Sequence, residues 1–275
     1  MKRLLILFSI CSMAVTSAFS QQDDTYYTDD ESTVTVQSQV APPPLPDYVQ
    51  PDCPGDGYFW TPGYWAWGGG GYYWVPGVWV LPPSVGLLWT PGYWGFYHGY
   101  YGWHAGYWGP HIGYYGGVCY GFGYWGTGFY GGRWEGGRFM YNRAVWHVGG
   151  GVHNVYEDRT VVHNNVVNHA SFNGPNGVRY RPSGNEMGAM HENHTPMTQE
   201  HVSHERSMSN ERGQFHAPNH TAPAVHSMSQ PGGQRFNQAG HSISGGGSHG
   251  GGGFHGGGGG GFHGGGGGHG GGGRH

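Results

Sequence analysis

The sequence predicts an all-β protein: an antiparallel meander of short strands, rich in aromatic residues and glycine, with a disordered N-terminal linker and C-terminal tail. Three observations carry this. A W-x-x-G-x-W unit occurs four times, as Trp60-Thr-Pro-Gly63-Tyr-Trp65, Trp74-Val-Pro-Gly77-Val-Trp79, Trp89-Thr-Pro-Gly92-Tyr-Trp94 and Trp103-His-Ala-Gly106-Tyr-Trp108. Near-constant spacing marks a repeat whose units bury their apolar faces on one another. Residues 57–146 hold all 12 tryptophans, and no Asp, Glu or Lys lies between Asp56 and Glu135. Aromatic residues suit pleated, half-buried surfaces, and dense glycine penalises helices.

Residues 1–20 have the three parts of a secretory signal peptide: Lys2-Arg3, the apolar run Leu4 to Val15, and Ala18-Phe-Ser20 before Gln21. Cleavage is expected after Ser20, and Cys11 leaves with the discarded segment. The apolar run is short for a membrane helix of about 20 residues, and no later stretch supplies one. Residues 21–56 form an acidic, then proline-rich linker, with Asp23, Asp24, Asp29, Asp30 and Glu31 ahead of Pro42-Pro-Pro-Leu-Pro46. Such composition offers little apolar surface to offset ordering entropy. The alternation Thr33-Val-Thr-Val36 forms a brief strand if it finds an edge.

Residues 57–146 are the repeat domain, and Pro-Gly within each unit has two readings. As the centre of a type II hairpin turn it sets Trp60 opposite Trp65, but two-residue hairpins favour primed turns, whereas proline enforces a negative φ. As a bend inside a longer strand it leaves Gly68 to Gly71 as the hairpin loop, so that Tyr58–Trp67 pairs with Tyr72–Leu81. The second is the preferred arrangement. After Trp108 the unit decays into Gly113-Tyr-Tyr-Gly-Gly117, Tyr120-Gly-Phe-Gly-Tyr124 and Phe129-Tyr-Gly-Gly132, where rings are expected flat on neighbouring backbone. Arg133, Arg138 and Arg143 then read as a solvated boundary with some stacking on rings.

Residues 147–182 scatter valines among Asn and His, which reads as short strands that cap or extend the repeats and end in the turn signal Asn173-Gly-Pro-Asn-Gly177. Here His147, His153, His163 and His169 read as the polar face of a strand rather than as metal ligands. Residues 183–275 read as a disordered His/Gly-rich tail holding one thin helix, with Thr195-Pro196 at its start and Gln199 to Met208 as its body.

The chemistry these residues support is limited. No G-x-S-x-G, H-E-x-x-H, P-loop or dinucleotide fingerprint occurs, so no catalytic residues are assigned and the expectation is a non-enzyme. Without the first 20 residues the chain keeps 10 arginines against 16 acids, a formal charge of −6 before histidine; this opposes nucleic acid or an anionic membrane surface as partner. Cys53 and Cys119 either form a disulfide, contributing roughly 4 kcal/mol through loop closure, or remain two free thiols. His249, His255, His263, His269 and His275 on the glycine tail are candidate ligands for Zn, Cu or Ni; otherwise no cofactor is expected. The aromatic units are either the core itself, the preferred reading in a domain poor in Leu, Ile and Val, or exposed rows that stack on glycans. A membrane β-barrel fits poorly, because the strands look shorter than the roughly 9–11 residues that span.

The four units, three with Tyr two residues ahead (Tyr58, Tyr72, Tyr101), resemble the YXWGXW, or WXXGXW, repeat family of exported bacterial proteins. Asp52-Cys-Pro-Gly55, Trp79-Val-Leu-Pro-Pro83, Gly109-Pro-His-Ile-Gly-Tyr-Tyr-Gly-Gly117 and Tyr141-Asn142 are similar to its glycine-rich members, so the likeness spans about residues 52–182. Leu87 replaces the leading Tyr of the third unit and Ala105 the Pro of the fourth. The resemblance implies an exported protein of the Gram-negative type. Taken with the residues, the expectation is a structural or interaction module in the periplasm, outer envelope or extracellular space, with envelope components or glycans as candidate partners. The resemblance implies no established molecular activity and no catalytic residues.

Overall fold

Each W-x-x-G-x-W unit contributes two short strands joined through its bend, and two units fold back on each other as one long bent hairpin. This computed structural model describes residues 33–162, 169–219 and 222–244. The expected signal segment, His163 and the five tail histidines lie outside the described residues.

In the first hairpin, Phe59–Thr61 (β2) and Tyr64–Gly68 (β3) run out, and Gly71–Val75 (β4) and Val78–Val80 (β5) return. β3 pairs with β4 and β2 with β5, setting Trp65 opposite Trp74 and Trp60 opposite Trp79. The second hairpin repeats this in Leu88–Thr90 (β6), Tyr93–Tyr97 (β7), Tyr100–His104 (β8) and Tyr107–Gly109 (β9), with Trp94 opposite Trp103 and Trp89 opposite Trp108. Pro-Gly is thus a bend on both arms, and the hairpin-turn alternative, which needs Trp60 opposite Trp65, is not the observed arrangement. Proline lacks the N–H that an uninterrupted ladder needs, so the ladder breaks there and resumes two residues later.

The glycine of each unit makes the bend habitable. A Cβ on Gly63 would strike the Trp74 ring, and one on Gly77 would lie 2.5 Å from Cζ2 of Trp60; Gly92 bears the same relation to Trp103 and Gly106 to Trp89, each at 2.5 Å. The first tryptophan of a unit therefore lies over the glycine of its partner unit, reciprocally. The four cross-strand ring pairs repeat one geometry, with centroids 5.3–5.4 Å apart and planes inclined by 49–66°. Pairs in these tilted and edge-to-face arrangements add about 0.5–1.5 kcal/mol each beyond burial.

The hairpins join through Tyr64 stacked on Trp103 (5.1 Å, 17°), Tyr72 against Trp94 and Phe59 against Trp108. The Trp94 indole N–H also donates to Trp65 O at 2.8 Å. Val34–Ser38 (β1), the strand expected only if it found an edge, pairs antiparallel with β8.

The decayed repeat supplies Cys119–Gly121 (β10) and Tyr124–Trp125 (β11), then the ribbon Gly132–Glu135 (β12) and Arg138–Asn142 (β13). Hydroxyls lace this region to the second hairpin: Tyr120 donates to Gly92 O and Tyr124 to Trp89 O. The arginines sit as expected, with Arg133 over the Tyr156 ring at 4.1 Å and Arg143 paired with Glu157. In the extension, Val155–Tyr156 (β14) adds parallel to β13, and Phe172–Asn173 (β15) adds parallel to β7 ahead of a turn closed by Gly177 N–H on Gly174 O.

Two segments placed by composition in a linker and a tail are ordered parts of this fold. Residues 40–51 lack regular secondary structure but lie on the repeats, where side chains capture their carbonyls. Trp65 Nε1 donates to Pro44 O (3.0 Å), Trp79 Nε1 to Pro51 O (2.9 Å), Tyr72 Oη to Val40 O (2.7 Å) and Ser171 Oγ to Pro43 O (2.6 Å). Residues 183–219 and 222–244 hold Gly184–Met190 (α1), Thr195–Pro196 (β16), Gln199–Ser209 (α2), and the hairpin strands Ser227–Met228 (β17), Arg235–Phe236 (β18) and Ser242–Ile243 (β19). α1 is entered through a capping box between Ser183 and Glu186. Thr195-Pro196 pairs with β9 instead of starting the helix, which is capped at Thr198.

The glycine relation gives a contrast between two alanines. Gly77→Ala is expected to lose about 1–3 kcal/mol by overpacking Trp60, whereas Gly69→Ala, with nothing within 4 Å of its added carbon, stays within about 0.5 kcal/mol of the parent; urea unfolding compares them. Trp79→Phe keeps a ring but strands Pro51 O. It is expected to cost about 1–3 kcal/mol and to speed hydrogen exchange selectively at residues 47–56.

Candidate functional site

Burial decides what the aromatic units do. The first hairpin places Trp60 at 0 %, Trp65 at 2 %, Trp74 at 0 % and Trp79 at 0 % exposure, and the second places Trp89 at 3 %, Trp94 at 1 %, Trp103 at 8 % and Trp108 at 0 %. All eight repeat tryptophans are interior, so the units are the core and present no row of rings to a ligand. Trp74 adds a further link by donating its indole N–H to His226 O at 3.0 Å.

Over this core lies α2. Glu205 accepts from Tyr64 Oη (2.8 Å) and Tyr73 Oη (3.3 Å), and His204 Nε2 donates to Pro76 O (2.8 Å). His201 stacks on Trp89 (4.6 Å, 14°) and shares a hydrogen bond with Thr198 through Nδ1. Burial lowers the pKa of His201 to about 3 and depresses that of His204, with His201 also disfavoured by charge on its neighbour. His226, under the C-terminal hairpin, is depressed by burial as well.

The exposed histidines behave differently. His147 Nε2 lies 3.4 Å from Asp52, His153 Nδ1 3.0 Å from Asp56 and His169 Nε2 3.8 Å from Asp47, so each meets an acid of the 47–56 segment. His169 Nδ1 also bonds to Leu45 O (3.0 Å) and His147 Nδ1 to Gln50 O (3.1 Å). These rings tie the extension to the proline-rich segment. Among the described residues no group of three or more His, Cys, Asp or Glu could hold a metal ion.

Cys53 and Cys119 are both free thiols, so of the two readings the structure shows the unpaired one. Burial pushes the Cys53 thiol up to about 12 and raises Cys119, which leaves little nucleophilic thiolate at neutral pH.

A cleft of about 350 Å³ opens where the proline-rich segment meets the β10–β11 hairpin. Tyr48, Tyr120, Phe122 and Trp125 wall it, and Asp47 and His169 stand on its lining with Cys119. Tyr48 Oη accepts from Gly63 N–H (3.0 Å), and its ring lies 5.0 Å from Phe122. Phe122 adopts φ 51°, an uncommon left-handed conformation for a bulky residue, and its carbonyl accepts from Trp146 Nε1 at 2.7 Å. Nothing in the sequence distinguished this cleft, because its walls come from the decayed repeat and from a segment read as linker.

The buried histidines set an acid limit. Each is neutral when folded, whereas the unfolded chain takes up a proton below about pH 6.5. Stability is therefore complete above that pH and falls as pH drops toward the depressed folded values, by up to about 1.4 kcal/mol per pH unit per histidine. Urea unfolding at pH 7 and pH 5 is expected to show this loss, and His201→Phe is expected to flatten it.

No curated protein and no solved structure matches the chain. A family profile matches residues 55–80, the length of the first hairpin, as two copies of one repeat. The two copies matched are the units whose tryptophans lie over each other's glycines, and the unit that residues 55–80 carry is the WXXGXW repeat.

Proposed function

We propose that the chain is an exported, non-enzymatic structural or interaction module of the bacterial envelope. The observation that carries this is the burial of all eight repeat tryptophans: the sequence feature that defines the protein is spent on building a stable body. Three further facts support it. Residues 1–20 have the pattern of a signal peptide, the units resemble an exported family, and no helix among the described residues is long and apolar enough to cross a membrane.

The reading of exposed aromatic rows that hold glycans loses its platform, since the rings it requires are interior. The reading of a metal-holding tail concerns residues outside those described; Zn, Cu or Ni retained by protein purified without a metal column, and released by chelator, would favour it.

Expression in a Gram-negative host tests the proposal directly. The expected product begins at Gln21 and fractionates with the envelope. Its tryptophan fluorescence is expected to resist iodide quenching until the protein unfolds. An uncleaved product retained in the cytoplasm would overturn the export reading, and ready quenching of most tryptophans in the folded chain would overturn the structural one.

A further inference from the structure

We propose that the cleft between the proline-rich segment and the β10–β11 hairpin binds a neutral sugar ring. The site is separate from the repeat rows, whose rings are buried, and the inference does not depend on the envelope role.

The size and lining define the ligand class. About 350 Å³ falls within the range of small-molecule sites, roughly 300–1,000 Å³. Tyr48, Tyr120, Phe122 and Trp125 give flat apolar walls. Tyr48 and Phe122 brace each other at 5.0 Å, and Phe122 in turn lies 5.7 Å from Trp60 of the core. The walls are therefore anchored to the repeat body and are formed before any ligand arrives. Trp125 is half-buried on this wall.

The polar groups narrow the class further. His169 Nδ1 lies 3.0 Å from Leu45 O, and a carbonyl only accepts, so Nδ1 carries the proton. Nε2 lies 3.8 Å from Asp47 Oδ1, beyond hydrogen-bonding distance. The Asp47 carboxylate only accepts, and at the rim of the cleft it offers an acceptor to the hydroxyl donors of a ligand. Among the described residues the lining contains no Arg or Lys, and the Asp47 carboxylate repels anions, so phosphate- or carboxylate-bearing ligands are disfavoured. A ligand with an apolar face, adjacent hydroxyl donors and no charge is a neutral sugar.

Titration of the mature chain with cellobiose, maltotriose and the N-acetylglucosamine dimer, followed by tryptophan fluorescence and ligand-observed NMR, tests this, with glucose 6-phosphate as the charged probe. The expected result is saturable binding of at least one neutral sugar and weaker binding of the phosphate. Trp125→Ala and Asp47→Asn are each expected to weaken binding at least about tenfold, or about 1.4 kcal/mol. Asp47 is a rim residue with a 68 % exposed side chain, so its variant is expected to keep the parent melting temperature even if Trp125→Ala does not. Absence of saturation by every neutral sugar at about 10 mM, where a millimolar site would be nearly filled, would overturn the proposal. So would binding that Asp47→Asn leaves unchanged, or a preference for the phosphate.

Discussion

The tryptophan ring laid over a facing glycine is the contact on which the rest of this structure depends. Each unit supplies one such ring and one such glycine, and pairing two units satisfies both. This reciprocity explains the W-x-x-G spacing: the ring must stand just before the bend of its own arm and reach the bend of the other. It also explains why proline is dispensable where glycine is not. Ala105 replaces it in the fourth unit, and Gly106 still lies under Trp89. Proline shapes a bend that other residues can make, whereas any side chain at the glycine would occupy the space of the ring.

A core of tryptophan and tyrosine creates a demand that an aliphatic core does not. Every buried indole brings an N–H and every buried phenol an O–H, and leaving them without acceptors is costly. Some acceptors lie within the hairpins, as Trp65 O does for Trp94, Gly92 O for Tyr120 and Trp89 O for Tyr124, and others are drawn from outside them. Pro44 and Pro51 serve Trp65 and Trp79, and His226 serves Trp74. The proline-rich segment suits this service, because proline carbonyls have no adjacent ladder to join. Ordering the flanks is thus a consequence of the core's composition. Trp60 and Trp108, in the outer ring pairs, are the two repeat tryptophans with buried, unpartnered N–H groups.

That dependence also marks how much could be read from the sequence. The all-β class, the repeat and the bend at Pro-Gly were legible, because they rest on local turn chemistry and on a spacing that recurs. The turn at Asn173–Gly177 was legible on the same grounds, whereas the alternation Thr33–Val36 marked a strand only on condition of an edge, which β8 supplies. The ordering of residues 40–51, 183–219 and 222–244 was not. Composition measures apolar surface, and these segments hold on through hydrogen bonds: Glu205 to Tyr64 and Tyr73, Gln214 to Trp74 O and Val225 O, Arg235 to Glu211. Every residue has a carbonyl, so nothing in a sequence reveals which carbonyl a distant indole will find. The left-handed Phe122 belongs to the two-residue Phe122-Gly123 turn of the β10–β11 hairpin, where both residues have positive φ, as a primed turn requires.

The decay of the repeat after Trp108 then acquires a physical meaning. Where the unit is intact, each ring is matched by a glycine and a cross-strand partner, and burial consumes its capacity to bind anything else. Once the frame is lost, Tyr120, Phe122 and Trp125 no longer have reciprocal partners in a facing unit. Tyr120 is still drawn inward by its bond to Gly92 O, but Phe122 and Trp125 stay half-buried. The proline-rich segment, already held by the intact units, passes beside them and forms the other wall of the cleft. Regular repeats build the body, and the irregular sequence beside them leaves aromatic surface unspent; in this chain any recognition is to be sought where the motif fails.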